Sequence, residues 1–127
     1  MLSTSHNRAY QDFLTLLTKF GEKLARQEQE SPQSEIEQNF QRLSSWFAEN
    51  VAQLSSQDLS PAIASRWQAV QTEILREFKL LSTDILFLAA SRQQITQLKR
   101  LKSINERLTK LISYCQIMLK DDNIKQY

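Results

Sequence analysis

Glycine occurs once and proline twice in 127 residues, where an average chain of this length holds roughly nine and six. Tight turns and glycine-rich loops therefore have almost no raw material. That argues against sandwiches, barrels and the glycine-lined phosphate sites of Rossmann and P-loop proteins, and for long helices with few connections. A single cysteine excludes an internal disulfide framework. One histidine beside one cysteine leaves no conventional zinc site within the chain. The longest apolar run, Ile85 to Ala90, has far fewer than the ~20 residues a membrane-spanning helix requires. Met1 to Tyr10 lacks a basic start followed by an apolar stretch, so no secretory leader is expected. An unpartnered Cys115 suits a reducing cytoplasm. Basic and acidic groups nearly balance, 16 against 14, which is not the profile of a nucleic-acid protein.

What is present is apolar spacing at three and four residues, the mark of amphipathic helices. The first seam is Tyr10, Phe13, Leu17, Phe20 and Leu24, on a helix over 5–29. The second is Ile36, Phe40, Leu43, Phe47, Val51 and Leu54, on a helix over 32–55. Ser31-Pro32, or alternatively Ser34 with Glu37, opens it. Ser55 to Pro61 is the clearest break. Ser60 as N-cap and Pro61 at the first helical position start a third helix over 61–90, with Ile63, Trp67, Val70, Ile74, Phe78, Leu81, Ile85 and Leu88 on its seam. The fourth seam is Leu98, Leu101, Ile104, Leu108, Leu111, Cys115 and Met118, on a helix over 92–121. Ser91 and Gln94 fit a capping box between the last two, with Ala90 and Ile95 as a staple. No glycine or proline stands there, so a continuous third-to-fourth helix is the alternative. Short connections make successive helices antiparallel neighbours. The expected fold is all-α, a single up-down-up-down antiparallel four-helix bundle, or a three-helix core with the first helix more loosely attached.

Chemistry-bearing residues do not assemble into a catalytic pattern. His6 reads as an exposed terminal histidine, and Cys115 as a small core hydrophobe on the fourth seam. Glu35 and Glu37 suit the first turn of their helix, where negative charge meets the dipole. The Glu-x-x-His pairs of di-iron bundles are missing. No catalytic, metal or cofactor site is expected, and the reading is of a protein that is not an enzyme. Gly21, on the first seam, costs about 1 kcal/mol relative to alanine in a helix. A close helix approach, opposite Trp67 or Phe47, would account for it; a kink or hinge is the alternative.

Charge and apolarity mark two surfaces. Residues 91–127 carry 8 basic and 3 acidic groups. Arg100, Ser103, Arg107, Lys110 and Tyr114 form one stripe beside the fourth seam, suited to an acidic peptide; a solvated face partly neutralised by the second and third helices is the plainer reading. At the end of the third helix, Leu80 and Phe87 project away from the seam with Asp84 between them. A helix touching two neighbours needs so wide a stripe, and an exposed patch for a partner is the alternative. Trp46 lies off its seam in the same way.

Thr83-Asp84-Ile85-Leu86-Phe87-Leu88-Ala89-Ala90-Ser91-Arg92, then Leu108 and Leu111-Ile112-Ser113-Tyr114-Cys115, together with the Tyr10-Gln11-Asp12-Phe13-Leu14 opening and a glutamine-rich composition, resemble the cyanobacterial heterocyst-frequency control protein PatD family. The resemblance implies a small cytoplasmic regulator of cell differentiation that binds the division protein FtsZ and modulates its assembly. It brings no active site. Against it stands a self-associating bundle, a homodimer with a scaffolding role.

Overall fold

The computed structural model describes the backbone over residues 2–27 and 33–124 and the side chains over 2–25 and 35–120. It holds four helices: α1 (Thr4–Gln27), α2 (Gln33–Asn50), α3 (Pro61–Ala90) and α4 (Gln94–Ile124). Each packs on the next, and α4 closes back on α1. The chain is an antiparallel up-down-up-down four-helix bundle. Tyr10, Phe13 and Leu17 of α1 are fully buried, so the first helix belongs to the core and the loosely attached alternative is not adopted.

Five of the six phenylalanines meet in the centre. Phe78 of α3 stacks on Phe47 of α2 at 3.9 Å between ring centroids and on Phe40 at 5.4 Å. Phe13 leans on Phe47 and Phe78 at 5.0 and 6.0 Å, and Phe20 meets Phe40 edge-on at 5.9 Å. Pairing of 13 with 47 and of 20 with 40 fixes the antiparallel register of α1 and α2. Trp46 is half-buried against Phe13. Such ring pairs add about 0.5–1.5 kcal/mol each beyond the area they bury.

Ser3 caps α1. Its hydroxyl accepts from the His6 amide at 3.1 Å, and its carbonyl accepts from the Asn7 amide. His6 is not the exposed terminal residue expected from sequence. It is buried, its Nδ1 bonded to the Ser3 hydroxyl, its Nε2 donating to the Ser55 carbonyl at 2.9 Å, and its ring edge-on to Trp67. One turn further in, Trp67 Nε1 donates to the Tyr10 hydroxyl at 2.6 Å. That hydroxyl donates to Gln71 Oε1 at 2.7 Å, and Gln71 Nε2 donates to the Val51 carbonyl at 2.9 Å. Every member of this buried chain is satisfied, the condition under which a polar network is tolerated in a core.

The same network explains where α2 stops. The expected end was residue 55, but the helix ends at Asn50. The Val51 and Ala52 amides both return to the Phe47 carbonyl, while Gln71 takes the Val51 carbonyl and His6 the Ser55 carbonyl. Loop residues 51–60 are thus held by side chains from α1 and α3. The Ser31-Pro32 start of α2 lies outside the described residues, as does the Ser34 side chain of the Ser34–Glu37 box. Pro61 occupies the first turn of α3 as expected; Ser60 precedes it in extended conformation, though its hydroxyl makes no capping bond.

Helices α3 and α4 are separated by a turn at residues 91–93. Ser91 does not cap α4. Its hydroxyl turns back to the Phe87 carbonyl at 2.6 Å, its amide bonds the Leu88 carbonyl, and it terminates α3. Gln97 Nε2 then donates to the Ser91 carbonyl at 3.0 Å, tying the turn to α4, which begins at Gln94 rather than 92. Gly21 faces Leu108 of α4, not Trp67 or Phe47. A β-carbon there would sit 3.8 Å from the Leu108 Cδ1, an ordinary contact.

Candidate partner-binding surfaces

The residues of the basic stripe are brought together, but with carboxylates of α3. Arg107 Nη1 donates to Glu77 Oε2 at 3.0 Å, and its Nε lies 3.5 Å from Asp84 Oδ2. Lys110 Nζ reaches Glu77 Oε1 at 3.4 Å. Arg100 Nη1 stands 3.5 Å from Asp84 Oδ1, and Ser103 Oγ donates to Asp84 Oδ2 at 2.7 Å. Glu77 and Asp84 are both buried. The two pairs 77–107 and 84–100 share one antiparallel register, a heptad apart on each helix. A buried carboxylate needs such partners, because its desolvation is otherwise uncompensated. The cations offered to an acidic partner by sequence are therefore engaged inside the bundle. Asp84, a candidate partner residue only if that side of α3 were an open patch, is enclosed for the same reason. Tyr114 is half-buried against the core.

The apolar end of α3 fares differently. Leu80 is half-buried. Phe87, alone among the phenylalanines, stays outside the core at 47% exposure, beside Leu86 at 67%. Across the turn, Ile95 and Leu98 are 64% and 57% exposed. Leu98 was expected on the seam. It is exposed because α3 and α4, each about 45 Å long at 1.5 Å per residue, carry the seam to the end of the bundle. The Arg100 guanidinium lies over the Phe87 ring at 4.5 Å. This cation–π contact, with the Asp84 pair, holds Arg100 between the apolar end and the buried acids. From Leu98 and Leu101 a shallow trough continues along α4 past Asn105 to Thr109.

Leu86, Ile95 and Leu98 were not singled out as surface residues from sequence. The available signal was helix length: two seams of about thirty residues against two shorter ones leave the longer pair uncovered at one end. Glu77 carries no functional signal in the sequence, where spacing makes it only the alternative to Phe78 on the third seam.

Cys115 is fully buried, and burial pushes its thiol up to about 12. Burial likewise pushes the Tyr10 hydroxyl well above its usual range, against the lowering effect of the Trp67 hydrogen bond. Neither group is a nucleophile in this setting. Among the described residues, no three His, Cys, Asp or Glu side chains converge as a metal site, and no helix is long and apolar enough to cross a membrane. Comparisons with protein families, curated proteins and solved structures find no match.

Proposed function

We propose that the chain is a non-enzymatic cytoplasmic regulator that works by binding another protein, and that the contact is the exposed apolar end of the α3–α4 hairpin. The observation that supports this is Phe87 with Leu86, Ile95 and Leu98: four large apolar side chains left in water around one turn, the kind of grouping that marks an interaction site. The resemblance to the PatD family rests partly on this same stretch, Thr83 to Arg92. On that resemblance the partner is FtsZ, the effect is a change in its assembly, and the biological setting is cell division and heterocyst differentiation.

The same patch supports a second reading, a homodimer through the hairpin ends. Light scattering separates the two. FtsZ assembly followed with and without the chain should change when the chain is added. The Phe87→Ser/Leu98→Ser variant should lose the effect. The chain alone should scatter as a monomer across a concentration series. Concentration-dependent dimerisation abolished by the same variant, with FtsZ assembly unaffected, would favour the homodimer instead.

A further inference from the structure

Between α1 and α2 runs a groove well away from the α3–α4 turn. Its floor is apolar. Phe20 and Leu43 form the buried base, and Leu16 and Trp46 stand half-exposed on the walls. Its rim is cationic: Lys19 and Lys23 on α1, Arg42 on α2, all three exposed. Among the described residues no carboxylate lies within ion-pair distance of any of them, whereas Arg100, Arg107 and Lys110 on α4 all have acidic partners. The spacing accounts for the cluster. Residues 16, 19, 20 and 23 share one face of α1, and 39, 42, 43 and 46 share one face of α2. Asp12 and Glu49, one turn towards the other end, are not among the lining residues.

We infer that this groove docks a short acidic amphipathic segment of a partner protein, with apolar side chains seated on Trp46 and Leu16 and carboxylates facing Lys19, Lys23 and Arg42. Charge complementarity selects this occupant. Three cations without an ion-pair partner among the described residues, set around an apolar floor, match an acidic helix that lays its apolar face into a groove. The groove follows about two turns of each helix, so the docked segment is short. Net charge by segment concealed the site. Residues 1–30 hold four basic and four acidic groups, and residues 31–56 hold one against three, yet the cations face each other across the groove.

The test uses the full chain and a fluorescein-labelled peptide with leucines at helical spacing and glutamates elsewhere. Binding is read by anisotropy and by a change in tryptophan emission from Trp46. The glutamate peptide should bind at least about tenfold more tightly than its glutamine counterpart, and added salt should weaken it. Lys19→Glu with Arg42→Glu should abolish binding while leaving thermal denaturation unchanged, because both side chains are exposed. Lys19→Gln with Arg42→Gln should weaken it to an intermediate degree. Trp46→Phe should remove the emission change and keep the anisotropy response. Equal binding of the two peptides, or unchanged binding by the charge-reversed chain, would overturn the inference. So would preferential binding of anionic phosphatidylglycerol vesicles or of a single-stranded oligonucleotide through the same cations.

Discussion

Arg107 reaches from α4 to Glu77 of α3, with Nη1 3.0 Å from a carboxylate oxygen that is itself buried. The pair fixes how the two longest helices sit, and it changes what a charge substitution on α4 does. Breaking a buried pair from one side leaves the other charge stranded, at about 3–5 kcal/mol. Arg107→Ala should therefore cost about 3 kcal/mol in urea denaturation, near the low end because Lys110 still faces Glu77. Arg100→Ala, at the more exposed pair, should cost ~1 kcal/mol or less. Charge reversal at 107, which sequence spacing alone would expect to spare folding, should be more damaging than the alanine. Equal small losses for Arg107→Ala and Arg100→Ala would show that Glu77 is rehydrated and the pair adds little.

Tyr10 occupies the middle of the buried chain from Trp67 to Gln71. Tyr10→Phe keeps the ring but leaves the Trp67 N–H and the Gln71 Oε1 without partners. It should cost about 1–3 kcal/mol, the range for stranding buried polar groups. Trp67→Ala should cost about 3–5 kcal/mol through lost burial and a cavity. A neutral Tyr10→Phe would mean the network closes without the hydroxyl.

Gly21 has ordinary helical backbone and room for a methyl group against Leu108. Gly21→Ala should stabilise the chain by about 0.5–1 kcal/mol through reduced unfolded-state freedom and better helix propensity. A loss on thermal denaturation would show that α1 and α4 approach more closely than this contact implies.

Cys115 supplies a pH signature. Its thiol lies near 12 in the folded chain against an ordinary 9.0, so the folded state holds the proton more tightly than the unfolded one. The stability this provides is complete below about pH 9 and is lost as pH climbs from there towards 12. Tyr10, raised for the same reason, adds to the alkaline loss above its own usual range. Denaturation midpoints should fall steadily above pH 9, and Cys115→Ala should reduce the slope. A flat profile to pH 11 would place the thiol in contact with water.

The seams made the bundle legible because four runs of apolar residues at helical spacing admit few other folds. Tyr10, Phe13, Leu17, Trp67, Ile74, Leu81, Ile104 and Leu111 all lie on seams read from spacing, and all are buried. Polar residues were not legible in this way. His6 looked exposed because its partners, Ser55 and Trp67, come from other elements. Neutralisation of the α4 stripe by a neighbouring helix was legible, but not which carboxylates do it, because Glu77, which takes Arg107, occupies a position beside the apolar seam of α3. Ser91 was assigned to the start of α4 from a local pattern, yet its hydroxyl serves the end of α3. In each case the deciding partner is either distant in sequence or on the opposite side of a turn. The apolar end was half legible: Phe87 stood out, but Leu98 was given to the core because periodicity says which face is apolar and not where the neighbouring helices end.

The proposed function makes the α3–α4 hairpin end the surface through which this chain would bind FtsZ. Equilibrium binding of purified chain to FtsZ, measured side by side for the unmodified protein and Phe87→Ser/Leu98→Ser, tests it most directly. The account predicts saturable binding by the unmodified chain and at least about a tenfold loss for the variant, equivalent to about 1.4 kcal/mol, with matched thermal denaturation. Equal affinity of the two proteins, or no binding by either, would contradict it.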